Sequence, residues 1–304
     1  MFATTVSRIA AEAEVPEQLT HYVQAVSGRK AMPVGEYVAY TLDRHAVLIA
    51  YPGGGSNQDT PPPADLPGPV VADASLGRAL EELALTCSSV SVLAPFLPAQ
   101  APEEAQKAAR YDSYWQLRIP PPRPGEKLRN MLCRASRELK VDEEHWSGEH
   151  QALVARYLSA RELPPGTRDI FSALSRYVTG EGHAYAPGSV KVVLVAARVP
   201  NNTLAGFSIG DFSGLRTSFY MFSFRHPEAP PGTADLLLDA LVRKSVEFGH
   251  MNMNLGLGIN GGIGFFKKKW GALPCLPYVE TSWSFGSVTS EARGVGGWLR
   301  RLFR

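Results

Sequence analysis

The stretch that most constrains this chain is His250 to Ala272, HMNMNLGLGINGGIGFFKKKWGA, which places a strand, a glycine-rich turn and a short basic helix in succession. Met251, Met253, Leu255 and Leu257 alternate with Asn252, Asn254, Gly256 and Gly258, the period-two pattern of a strand with one apolar face. The opposite face carries little bulk, and glycine inside a strand marks a place where something else approaches the backbone. Ile259-Asn260-Gly261-Gly262 turns the chain, and residues 264–270 have room for about two helical turns before Gly271 and Pro274 stop them. On a helix advancing ~100° per residue, Ile263, Phe266 and Trp270 share one face with Lys267 beside them, whereas Lys268 and Lys269 point elsewhere. An ammonium held against apolar neighbours at a gap in a sheet is suited to meeting an anion or a developing oxyanion. The competing reading puts all three lysines on a solvated helix face, with their stems along the protein.

A chain of 304 residues can bury a substantial core and has length for two domains. With Lys+Arg 31 against Asp+Glu 29 the net charge is +2, so contact with nucleic acid or membrane needs a local patch, and DNA is not an expected partner. Cys87, Cys133 and Cys275 are odd in number and widely spaced, which argues against a disulfide framework or a zinc site. The N-terminus lacks the basic and apolar regions of a signal peptide, and no apolar run approaches ~18 residues, so the expected compartment is the cytoplasm without a transmembrane segment.

Around the central stretch the pattern is that of a mixed α/β protein. A helical segment over residues 5–28 precedes a β-hairpin over 36–51 and a proline-rich surface loop over 52–69. A helix over 75–86 and strands over 90–96 and 111–119 follow, and then the linker Pro120 to Gly125, PPPRPG. The expected division is therefore residues 1–119, a linker at 120–125, a second domain at 126–290 and a basic amphipathic tail at 291–304. The mix of bulky apolar and basic residues in that tail suits peripheral membrane contact, although docking on the body of the protein or fraying suits so few residues better.

The second domain opens on a helix whose stripe of Leu128, Leu132, Ala135 and Leu139 is surrounded by Lys127, Arg129, Arg134, Arg137 and Lys140. These cations either hold phosphates or form a solvated face. Helices over 148–161 and 168–179 precede a meander of strands over 190–199, 204–211 and 215–224. After the irregular loop Arg225 to Gly232, Thr233 can cap a helix to about residue 248, and the bare amides at Gly232 and Thr233 suit a phosphate or carboxylate. A last strand is expected over 278–285.

Gly256 to Gly261 formally matches GxGxxG, with Glu280 further on. The asparagine-bearing strand and the short helix argue against a dinucleotide site. No P-loop, GxSxG, HExxH or Cys/His pattern occurs. Asp211, Tyr220, His226 and His250 remain as single candidates for acid or base work.

YDSYWQLRI at 111–119, the basic helix KLRNMLCRASRELKV, and NLGLGINGGIGFFKKKWGA after the meander together resemble Fem-type and related acyltransferases of the GNAT superfamily. Phe266, Lys267, Trp270 and Gly271 match that family's FK-x-x-aromatic-Gly element. The resemblance implies two tandem GNAT-like domains, the first degenerate, and transfer of an acyl or aminoacyl group to a small-molecule amine. It implies a cosubstrate donor, namely acyl-CoA, an acyl carrier protein or aminoacyl-tRNA, and no tightly bound cofactor. By analogy Lys267 neutralises the oxyanion or a donor phosphate, with Tyr220 and Asp211 as further catalytic candidates. Asn254, Gly256, Gly258, Gly232, Thr233 and Phe266 would face the donor, and Lys127, Arg129, Arg134 and Arg225 an anionic substrate. The family's acyl-CoA loop is reduced here to Gly232 and a helix start, which keeps open an inactive module that binds an anionic metabolite or a partner protein.

Overall fold

The computed structural model describes residues 2–51, 69–163, 165–181 and 190–285. In the first half, β1 (Lys30–Val34), β2 (Tyr37–Leu42) and β3 (His45–Ile49) form an antiparallel meander, followed by β5 (Ser89–Ala94) and β7 (Arg110–Arg118). Two short strands, β4 (Val70–Val71) and β6 (Leu97–Pro98), make a separate ribbon. In the second half β8 (Lys140–Glu144), β9 (Val192–Arg198), β10 (Leu204–Asp211) and β11 (Thr217–Arg225) form a second meander, followed by β12 (Asn252–Leu257) and β13 (Leu273–Ser284).

All but the ribbon join one 11-stranded mixed sheet of order β1-β2-β3-β5-β13-β7-β12-β11-β10-β9-β8. Each meander ends on a strand that pairs in parallel with the next, β3 with β5 and β11 with β12. At the centre, β13 lies between β5 and β7, antiparallel to both, so the two halves of the chain are woven into one sheet. Residues 120–125 join β7 to the helix that precedes β8.

Helices cover both faces. One face is packed by α1 (Phe2–Ala11), α2 (Thr20–Ser27), α6 (Gly148–Ser159), α7 (Pro165–Ser172) and α8 (Leu174–Thr179), through residues such as Ile9, Tyr22, Val154, Phe171 and Tyr177. The other face is covered by α3 (Ala74–Ala84) over the first half and by α5 (Glu126–Glu138), α9 (Thr233–Glu247) and α10 (Gly261–Lys269) over the second. A short α4 (Glu103–Lys107) precedes β7. The expected helical segment at 5–28 is in fact α1, a 3-10 turn at Pro16–Gln18 and α2, because proline supplies no amide hydrogen to continue a helix. The edge strands β1 and β8 were not expected: KAMPV contains a proline and KVDEE is mostly charged, so neither shows apolar alternation.

One expectation for β12 is corrected. Met253 and Leu255 pack under α9, but Leu257 turns to the opposite face and Met251 is exposed. The cause is Gly256, whose φ of +77° inserts a bulge and reverses the alternation.

Candidate active site at the parting of two strands

The two parallel pairs differ. Between β3 and β5 the register runs unbroken from His45 opposite Ser89 to Ile49 opposite Leu93. Between β11 and β12 it stops after Thr217 opposite Asn252, Ser218 opposite Met253 and Phe219 opposite Asn254. Immediately beyond that level both strands are irregular: β11 shifts register against β10 at Tyr220 to Phe222, and β12 shifts against β7 between Asn254 and Leu257. Bulges bend a strand and raise its twist, so the two strands part towards their C-terminal ends. Asn254 holds the bulge from within, its Oδ1 accepting from Gly256 N at 2.7 Å while its Nδ2 donates to the Glu14 carbonyl at 2.8 Å.

Lys267 reaches this place from α10. Asn260 caps the helix, its side chain accepting from Ile263 N at 3.0 Å, and Trp270 at the other end is buried and donates to Asp235 on α9 at 3.0 Å. With both ends anchored, Lys267 is turned inward at 4% exposure, while Phe265 stands in solvent and Phe266 packs partly against the core. Its Nζ donates to the carbonyls of Gly256 and Leu257 at 2.8 and 2.6 Å, so two of its three donors are committed. Burial pushes its pKa down to about 7, against the pull of Asp112 and of Cys275, which hold it up. Cys275 is itself pushed up to about 12, chiefly by burial. Tyr220 sits at the first level past the last β11–β12 pair, partly buried, with its hydroxyl pKa raised by burial.

The glycine turn is occupied from within. Gly258 N and Ile259 N donate to the two carboxylate oxygens of Asp112 at 3.1 and 3.2 Å, an anion already seated in an amide cradle. A Cβ at Gly258 would stand 2.9 Å from Asp112 Oδ1 and 3.0 Å from Trp115 Nε1, so the position accepts only glycine without displacement. At the start of α9, Gly232 has φ +89° and lies under α5, where a Cβ would meet Met131 and Ala135 at 3.0 Å. Thr233 is buried and donates to the Pro230 carbonyl through both its amide and its hydroxyl.

Asp211 stands apart from this group. It lies opposite Phe219, at the last level of the parallel pair before the strands part, and is fully buried with partners of its own. Burial raises its pKa, but His21 Nε2 at 2.6 Å, the Tyr177 hydroxyl at 2.6 Å and Ser213 N at 2.9 Å outweigh this and hold it below the usual value. His250 is buried with Nε2 at the Gly214 carbonyl, and His226 pairs with Arg156. Lys127, Arg129 and Arg134 are exposed on α5, Arg134 beside Glu138, and Arg225 is exposed at the end of β11 towards which the strands part. The tail at 291–304 lies outside the described residues. No described helix is long and apolar enough to cross a membrane.

The N-terminal segment, in which the sequence shows no chemistry, contributes buried carboxyls. Glu14 is 7% and Glu17 0% exposed, and burial pushes the Glu17 pKa up to about 7 against the lowering hydrogen bond from Tyr114. The available signal was AEAEVPEQ, where carboxylates flank a helix-breaking proline.

No known sequence family matches the chain, and no curated protein matches it. Solved structures do. The C-terminal DUF2156 domain of an Agrobacterium fabrum protein described as a lysylphosphatidylglycerol synthetase superposes with a TM-score of 0.57 at 14% identity, covering 92% of each chain. L-PGS from Bacillus licheniformis gives 0.55 at 13% identity over 89% of this chain and 93% of that one. FemX gives 0.54 at 9% identity over 91% and 94%. The chain shares its fold with these three structures, FemX among them, in agreement with the resemblance to Fem-type proteins seen in the sequence.

Proposed function

We propose that this chain is a transferase that moves an activated acyl or aminoacyl group to an amine where β11 and β12 part. The observation that carries this is the buried ammonium of Lys267 at the carbonyls of the bulged strand, on the only side of the sheet where a described parallel pair comes apart. The laddered β3–β5 pair supports reading residues 1–119 as the degenerate partner domain and 126–290 as the catalytic one.

The donor carbonyl would enter the gap beside Lys267. The amine nitrogen attacks the carbonyl carbon, charge gathers on the oxygen, and the remaining Lys267 donor stabilises it in a place with little water. Collapse of the tetrahedral intermediate breaks the bond to the leaving oxygen or sulfur, which takes up a proton, and the amine nitrogen loses one.

The structure favours a donor other than coenzyme A. The α9 start lies beneath α5 and the Gly258-Ile259 amides already hold Asp112, so a pyrophosphate lacks its usual backbone cradle. An aminoacyl-tRNA or a carrier protein, guided by Lys127, Arg129 and Arg134, fits better. Of the three structures compared, one is described as a lysylphosphatidylglycerol synthetase, which suggests an aminoacyl donor. The test is an incorporation assay with charged tRNA, acyl carrier protein and acetyl-CoA against an amine panel, run with wild type and Lys267→Ala. Lys267-dependent product with any donor supports the reading. Donor binding without turnover across the panel would leave a binding module, the same covered cradle being its rationale.

A further inference from the structure

Residues 14–18 cross the middle of the sheet as one tight turn, pinned on all sides. Gln18 Oε1 accepts from Glu14 N and Val15 N at 2.8 and 3.2 Å, and its Nε2 donates to the Tyr51 carbonyl at 3.1 Å. The Tyr40 hydroxyl donates to the Glu17 carbonyl at 2.7 Å. This turn lowers the Glu17 carboxyl into a fully buried chamber walled by tyrosines. Tyr114 donates to Glu17 Oε2 at 2.8 Å, and the Tyr51 and Tyr278 rings stand edge-on to Tyr114 at 6.0 and 5.8 Å.

Two buried polar atoms of this segment have no partner, Glu17 Oε1 and the hydroxyl of Tyr22; burial first, and the Glu17 carboxyl second, raise the Tyr22 pKa well above its ordinary value. Among the described residues no lysine or arginine pairs with Glu17. Buried polar groups are paired in the great majority of cases, and one that is not calls for an explanation such as an absent water or ligand. A carboxyl enclosed by aromatic rings is complementary to one chemistry above others, a compact cation with N–H donors, because ring faces and carboxylate attract the same charge.

We propose that Glu17 and the Tyr22 hydroxyl, beneath the 3-10 turn, bind the primary ammonium group of the amine-bearing substrate. The chamber lies on the face of the sheet opposite α10 and meets the Lys267 site through the strand backbone between them. Tyr114, whose hydroxyl holds Glu17, is the register partner of Leu257, whose carbonyl holds Lys267. The inference rests on the transferase reading only for what the ligand is, since the ammonium belongs either to an aminoacyl donor or to the acceptor.

The test is calorimetric titration of the full chain, at constant ionic strength, with methylammonium, ethanolamine, alaninamide and lysinamide, and with acetamide as the neutral control. Saturable binding of at least one ammonium but not of acetamide, weakened about tenfold or more by Glu17→Gln and also by Tyr22→Phe, supports the site. Preference for the amino-acid amides assigns the chamber to an aminoacyl donor, and preference for ethanolamine or methylammonium to the acceptor. Circular dichroism establishes that each variant is folded, and Tyr22→Phe serves alone if Glu17→Gln is not. The proposal is overturned if no ammonium binds the wild type, leaving a buried water as the occupant, or if the folded variants bind as well as the wild type. Because this readout needs no turnover, loss of the transferase reading alone would show as intact ammonium binding without product from any donor.

Discussion

Lys267 Nζ donates at 2.6 Å to the carbonyl of Leu257, the residue that the Gly256 bulge turns to the far face of the sheet. The lysine thus closes a backbone defect and holds a desolvated ammonium at the same point. Removing it is expected to lower turnover by roughly 10²- to 10³-fold, the range typical of a lost oxyanion donor. With its pKa near 7, the protonated form that donates is lost as pH rises through that value, so kcat/KM is expected to fall with an alkaline limb near pH 7. A limb that rises through pH 7 would instead make Lys267 the base.

The same lysine leaves a mark on stability. Its folded pKa of about 7 lies below the 10.5 of the free side chain, so between those values the unfolded chain binds the extra proton and stability grows with pH. Denaturant titrations from pH 7 to 10 are expected to show this rise in wild type and to lose it in Lys267→Met.

Glu17 has the opposite sign. Its folded pKa of about 7 exceeds the ordinary 4.5, so the folded chain holds the extra proton in that window and stability declines as pH rises from 4.5 to 7. The full penalty is on the order of 3 kcal/mol above pH 7. Glu17→Gln keeps an acceptor for Tyr114 and is expected to melt higher than wild type at pH 8; an unchanged or lower melting temperature would count against the protonated carboxyl.

Asp211→Asn is expected to weaken folding by about 1.5–3 kcal/mol, the range for losing hydrogen bonds to a charged group, while folded molecules retain their turnover. Chemical denaturation combined with activity per folded molecule checks this, and loss of turnover at full folding would return Asp211 to the chemistry. Since Asp211 sits below its usual pKa, its contribution is present above that ordinary value and disappears as acid protonates it.

Gly258→Ala is expected to cost about 1–3 kcal/mol, because the new methyl meets Asp112 and Trp115 inside contact distance. The turn that positions α10 shifts with it, so turnover should fall further than the melting temperature suggests, which parallel kinetics and thermal melts would reveal.

Much of this was legible in the sequence, and what was missed has physical causes. The odd lysine was visible because helical periodicity alone separates Lys267 from Lys268 and Lys269. The meander, the long helix and the strand before the glycine turn were visible as clean periodicity with proper turn residues. The facing of Leu257 was not, since whether Gly256 adopts positive φ depends on its neighbours in space. Glu17 escaped because its burial arises from a turn laid over Tyr40, Tyr51, Tyr114 and Tyr278, all distant from it in sequence. Asp112 was present in the quoted strand, but its capture of the Gly258 amide joins residues 146 positions apart.

The insertion of β13 between β5 and β7 has a consequence for how the protein is made. Residues 273–284 follow every other described element in the chain, yet they occupy the middle of the sheet. Until they leave the ribosome, β5 and β7 each present an unpaired edge, and their carbonyls and amides are open to mispairing. The first half therefore cannot mature as an independent unit ahead of the second. A chain stopped before residue 273 is left with two exposed edges and not with one folded domain, and closure of the sheet is a late, long-range event in folding.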